Sequence, residues 1–179
     1  MAIHGDTIVV GAPHDFHEAD SANSSSRQGS AYVFTRSGTI WSQQAKLTAS
    51  DAAGRDYLGI AVAISGDTVV VGADQGGSQR PGAAYVFVCS GTAWSEQAKL
   101  TASDAEDHDR FGHSVALSGD TAVVGAVSDD DAGDSSGAAY VFVRSGNTWS
   151  QQAKLTASDA AERDTLGRSV ALRACTTFI

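Results

Sequence analysis

Proline and cysteine are nearly absent from this 179-residue chain, at two residues each, and methionine occurs once. Cys89 and Cys175 cannot make the dense disulfide framework that holds small secreted domains together, so the core has to come from packing. Basic residues are also scarce. Twelve Lys and Arg against 21 Asp and Glu leave a formal net charge of −9, and no basic cluster offsets it. A chain of that sign repels phosphate backbones, so nucleic acid is excluded as an expected partner. Long apolar runs are missing: the longest, Ala83–Cys89, is far too short to cross a bilayer, so no membrane insertion is expected. No basic segment followed by an apolar stretch comes after Met1, so no secretion signal is visible. Helical periodicity of useful length is also lacking.

What is present is glycine, at 19 residues, with frequent Val, Thr and Tyr, 42% hydrophobic residues and 18% charged ones. This is the composition of a folded domain of short strands joined by tight turns. Self-similarity decides the arrangement. The string AYVF begins at Ala31, Ala84 and Ala139, and AKLTASDA begins at Ala45, Ala98 and Ala153, both at spacings of 53 and 55. Trp41, Trp94 and Trp149 keep that register, as do Gly59, Gly112 and Gly167.

The middle copy predicts four strands, at 58–65, 68–73, 83–90 and 93–102, with Gly-containing turns at Gly66–Asp67 and Gly91–Thr92. TVVVGA and AAYVFV are apolar on both faces, so both must be covered, which face-to-face blades accomplish without helices. In the fourth segment, alternation puts Trp94, Ala98 and Leu100 on one face and Ser95, Gln97, Lys99 and Thr101 on the other, as suits a partly wet outer strand. The expectation is an all-β partial propeller: three four-stranded antiparallel blades plus an orphan strand. The repeats run over about 1–57, 58–110 and 111–165. Residues 166–172 are expected to be the first strand of a fourth blade, and 173–179 a tail outside the repeat.

The strings LGIAVAISGDTVVVGADQGGSQRPGAAYVF and FGHSVALSGDTAVVGAVSDDDAGDSSGAAYVF resemble FG-GAP repeats, the blades of integrin α-subunit propellers and of many bacterial surface proteins. Phe111–Gly112 carries the FG element and Gly11–Ala12–Pro13 the GAP element. The resemblance implies an extracellular or cell-surface location and an adhesion or binding role. Integrin-type repeats carry an aspartate-rich calcium loop between the first two strands. Here that place holds only Ser65–Gly66–Asp67–Thr68 and Ser118–Gly119–Asp120–Thr121, too short to wrap the oxygens calcium needs. The chain resembles the metal-poor bacterial version, and no cofactor is expected.

The loop between the second and third strands differs in every copy: PHDFHEADSANSSSRQG, DQGGSQRPG and VSDDDAGDSSG. Variable loops on one rim of a repeat protein are either a binding surface or solvated connections. His14, Asp15, Phe16, His17 and Glu18 in the first loop and Gln79 and Arg80 in the second are the candidate ligand-binding residues. His14, His17 and Glu18 have the chemistry of a transition-metal site, but a long Ser-rich loop lacks the rigidity zinc requires. Asp129, Asp130, Asp131 and Asp134 are candidate ligands for a hard cation, set against a plain solvated acidic turn. The recurring pairs Asp51/Asp56, Asp104/Asp109 and Asp159/Asp164 read as turn aspartates that accept backbone N–H groups, since a catalytic pair need occur only once. Gly112–His113–Ser114–Val115–Ala116 departs from a nucleophile elbow in its last residue and in its strand context. The three tryptophans are expected to pack against a neighbouring strand and not to stack on sugars.

The resulting expectation is a non-enzymatic binding module that meets a protein or polysaccharide through its rim loops, with homo-oligomerisation as a way to cover the end blades. Two alternatives stand beside it: part of a propeller-fold polysaccharide hydrolase or lyase whose catalytic residues lie in other blades, or a fragment without autonomous function.

Overall fold

The computed structural model describes residues 1–16, 27–75 and 80–173; His17, Glu18, Gln79 and Cys175 lie outside them. Among the described residues every regular element is a strand. The first sheet contains β1 (Ala2–His4), β2 (Thr7–Ala12), β3 (Ser30–Ser37) and β4 (Ile40–Leu47). The second contains β5 (Ala61–Ser65), β6 (Thr68–Ala73), β7 (Ala83–Ser90) and β8 (Ala93–Leu100). The third contains β9 (Phe111–Ser118), β10 (Thr121–Ala126), β11 (Ala138–Ser145) and β12 (Thr148–Leu155). Each is a four-stranded antiparallel meander in chain order. First strands of successive sheets pack closely on each other while fourth strands barely touch, so the sheets splay outward as blades of an open arc, a partial propeller.

The core lies between the blades. Val9, Val33 and Leu47 of the first blade meet Val69, Val71, Tyr85 and Phe87 of the second. Val70, Val86 and Leu100, from the other face of the second blade, meet Phe111, Val124, Tyr140 and Phe142. Consecutive residues of β6 and β7 thus serve two different interfaces, which is why their sequences carry no polar alternation. Each such side chain contributes about 1.5–3 kcal/mol by leaving water, so blade contact, and not the ladder within a blade, is the main source of stability.

The glycines of the FG and GAP elements are partners in space. A Cβ on Gly72 would lie 2.0 Å from the carbonyl oxygen of Gly112 in the next blade; Gly11 with Gly59 and Gly125 with Gly167 repeat the geometry at 1.9 and 2.0 Å. Gly59, Gly112 and Gly167 also have positive φ, at 95°, 93° and 84°. That turn lets the preceding residue reach the previous blade, where the Leu58, Phe111 and Leu166 amides donate to Gln28, Pro81 and Ser136 carbonyls at 2.9, 2.7 and 2.9 Å.

Three details depart from the sequence reading. The first strand of the second blade begins at Ala61 and not at 58; Leu58 bridges Gly29 of the preceding blade. Among the described residues, 166–172 form no strand: Leu166 bridges Gly137, and no antiparallel neighbour pairs with the residues that follow. The fourth strand also does not keep one alternation. A β-bulge between Val86 and Phe87 leaves Gln97 without a partner, so Trp94 turns to the interface with the first blade while Ala98 and Leu100 turn to the third. The bulge recurs opposite Val33/Phe34 and Val141/Phe142.

Candidate ligand-binding rim

Antiparallel strands place successive connections at alternate ends. The loops after β2, β6 and β10 and the connectors between blades therefore share one rim, and the tight Gly turns share the other. In each connector the second aspartate caps a turn, as its recurrence predicts. Asp56, Asp109 and Asp164 accept the amides of Ala53, Glu106 and Ala161 at 2.6, 2.8 and 2.7 Å.

Several candidate residues are committed to holding the blade. Asp15 accepts from Ser30 and Tyr32 hydroxyls at 2.5 and 2.7 Å and from Lys46 at 2.8 Å. Burial opposes its ionisation, but these bonds outweigh burial and hold the carboxyl well below the usual range. Arg80 is spent on the buried Asp56, at 2.7 Å. His14 meets Tyr57 edge to face with ring centroids 5.5 Å apart, and Phe16 remains exposed.

The four aspartates of the third loop do not gather round one point. Among the described residues no three His, Cys, Asp or Glu side chains could hold a metal ion. Asp129, almost fully buried, accepts from Tyr140 at 2.7 Å and from Lys154 at 2.8 Å; Lys154 also pairs with Asp131 and, at 2.9 Å, with Asp104. Burial disfavours the Lys154 charge, yet these carboxylates prevail and push its pKa upward. The Lys154 ammonium thus sits among three carboxylates. At the junction of the first and second blades the connector Asp51 accepts from Tyr85 and Lys99 at 2.7 and 2.6 Å. The Tyr and Lys of AYVF and AKLTASDA are structural partners of the loop and connector acids, a role that their shared register hints at but alternation hides.

Asp130 and Asp134 face elsewhere, into a cleft of about 340 Å³ between the second and third blades, with His108, Arg110, Gln75 and Ser128. Arg110 is anchored to Asp74 at 2.7 Å. Sequence reasoning missed His108 and Arg110 because it read the connectors as structural. The available signal was their variation: the copies place Arg55 and Arg163 opposite His108, and Tyr57 and Thr165 opposite Arg110.

Beneath the cleft, burial pushes Asp109 up to about 6, helped by the charges of Asp129, Asp130 and Glu106 and opposed by the Glu106 amide. Its folded value exceeds the ordinary 3.8, so the ionised carboxyl costs stability above pH 6, and that cost vanishes as pH falls toward 4. Asp109→Asn keeps an oxygen to accept the Glu106 amide. It is expected to raise stability at pH 8 by on the order of 2 kcal/mol and to flatten the rise between pH 6 and 4, as read from urea melts at several pH values.

The opposite rim does not fit calcium. Each turn offers one carboxylate, and those of Asp6 and Asp120 already pair with Arg36 and Arg144 at 2.5 and 2.6 Å. In the second blade Cys89 stands where the arginines stand; it is a free, half-buried thiol whose Sγ lies 3.4 Å from the Gly91 carbonyl. Burial, then the charge of Asp67, raises its pKa, so it is a poor nucleophile. The Ser114 hydroxyl donates to the Gly167 carbonyl at 2.6 Å, a packing role. Trp94 and Trp149 donate to Gln44 and Gln97 of the preceding blades, each at 2.9 Å.

The family model of the FG-GAP repeat matches residues 1–34, 41–87, 94–142 and 149–176. The inner matches begin at Trp41 and Trp94 in a fourth strand and end in the third strand of the next blade, so the sequence unit is offset by one strand from the structural blade. No curated protein shows significant sequence similarity to the chain. The four matches take in most of the sequence and the motifs that join its blades, and the chain belongs to the FG-GAP repeat family.

Proposed function

We propose that this chain is a non-catalytic binding module of an extracellular or cell-surface propeller, which takes a protein or polysaccharide ligand at the variable-loop rim. One observation carries the reading. The residues that hold blades together recur from copy to copy, whereas the cleft of His108, Arg110, Asp130 and Asp134 is lined by residues that do not. A cleft that sets carboxylates beside a guanidinium, an imidazole, an amide and a hydroxyl offers both donors and acceptors, which suits a sugar hydroxyl array or a polar protein loop.

The test is binding of the chain to an array of surface polysaccharides and to purified extracellular matrix proteins. Retention of one class is expected, with affinity lowered about tenfold or more in His108→Ala/Asp130→Ala/Asp134→Ala, whose thermal melt stays unchanged because all three side chains are exposed. Equal binding by the triple variant would move the site off this cleft. Cleavage of an arrayed polysaccharide would replace the binding reading with the hydrolase or lyase one.

A further inference from the structure

Each junction between blades uses one set of contacts. The fourth-strand tryptophan of the later blade donates to the bulged glutamine of the earlier one: Trp94 to Gln44, Trp149 to Gln97. The connector serine bonds the fourth strand of the later blade: Ser50 to Glu96, Ser103 to Gln151. The first connector aspartate takes the later lysine: Asp51 with Lys99, Asp104 with Lys154. The last leucine of the earlier fourth strand is buried: Leu47 and Leu100 are each 3% exposed.

Half of this set is left open at each end of the arc. On the first blade, Trp41 is 38% exposed and among the described residues its indole meets only Arg36, and Gln43 lies on the surface. Among the described residues Lys46 has its loop partner Asp15 and no connector aspartate, whereas Lys154 has both kinds. After the third blade, Leu155 is 47% exposed, and Gln152, Ser158 and Asp159 are exposed as well. The two open half-sets are complementary, since they are copies of the two halves that meet at both interior junctions.

We propose that the third blade of one copy docks on the first blade of a second copy in a head-to-tail contact built like the interior junctions, with Trp41 against Gln152, Gln43 against Ser158, and Lys46 against Asp159. Leu155 and the first-blade residues Ile8, Val10, Tyr32 and Phe34, none of them fully buried, become its core. Charge favours this pairing over head-to-head docking, because Lys46 meets Asp159 and not another lysine. Leu166 and Gly167 already lie on the third blade as Phe111 and Gly112 lie on the second. Two copies joined at both ends would bring six blades, within the four to eight of closed propellers.

The test is absolute mass by light scattering after gel filtration of the 179-residue chain, with two interface variants. Wild type is expected to run as two copies or more of the 18.3 kDa chain, and Trp41→Glu and Leu155→Glu each as one copy with unchanged far-UV circular dichroism. An equimolar mixture of the two variants regains a two-copy mass, since one keeps its tail face and the other its head face. Trp41→Phe and Gln152→Ala, milder changes at the same exposed positions, each weaken association by about threefold to tenfold through loss of one hydrogen bond. A one-copy wild type at every concentration, association that survives both Glu variants, or a mixture that stays at one copy would each overturn the proposal.

Discussion

Alanine at Gly72 or Gly112 is expected to cost about 3–5 kcal/mol and to uncouple the third blade from the second. The Gly72 Cβ would lie 2.0 Å from the Gly112 carbonyl oxygen, and the Gly112 Cβ 2.2 Å from the Ala83 carbonyl oxygen. These are backbone atoms, and they can yield only if the blades part. Gly112 also has φ 93°, where any Cβ is strained. Parting the blades exposes Phe111, Val124, Tyr140 and Phe142, so the loss is a large share of the roughly 5–15 kcal/mol that holds a domain folded. Gly91→Ala is the control: φ is 65°, but nothing lies within 4 Å of the added atom, so about 1 kcal/mol is expected. Urea denaturation followed by tryptophan fluorescence separates the cases. Equal costs at Gly91 and Gly112, which share a positive φ, would mean that conformation, and not blade contact, explains Gly112.

The second large effect is at Lys154. Lys154→Met keeps the aliphatic stem but leaves Asp129, whose side chain is 3% exposed, together with Asp104 and Asp131 without their cation. Breaking a buried pair from one side costs about 3 kcal/mol or more. The equivalent change in the second blade, Lys99→Met, removes a cation from Asp51 alone, which is 51% exposed, and is expected to cost under about 1 kcal/mol. The pH dependence distinguishes this from a packing defect. In the wild type, burial raises Asp104, but Lys154 and Tyr140 overcome it and hold its pKa below 3.8. The pairing is thus present above pH 3.8 and lost as pH falls through the lower folded value. In Lys154→Met the Asp104 carboxylate has lost that cation and is relieved by protonation, so the gap from wild type is widest at neutral pH and narrows on acidification. A gap independent of pH would show that Lys154 acts through its stem alone.

Much of this molecule could be read before any coordinates. Thr68–Ala73 and Ala83–Ser90 are strands with the bounds their turns predicted, because a two-residue Gly turn and a two-faced apolar run are local signals. The connector aspartates were legible for the same reason: each accepts an amide only three residues away. The candidate site was less legible. Asp15 and Arg80 belong to the variable loops, and their partners in the fold lie 15 or more positions away in sequence.

The sequence by itself determined the strand content, the repeat and the two-faced burial of the middle strands, since all of these rest on periodicity and on neighbours within a few residues. Only the tertiary structure decided which glycine meets which, since Gly72 and Gly112 lie far apart in the chain and touch through backbone atoms that carry no sequence label. It alone revealed the bulge at Gln97, where one extra residue sends Trp94 and Leu100 to opposite faces despite their even spacing. It also decided that Lys154 gathers acids from a loop and a connector while Asp130 and Asp134 turn to the cleft beside His108 and Arg110. Charge attraction, close packing and register act between residues brought together by the fold, and a linear pattern does not record those distances.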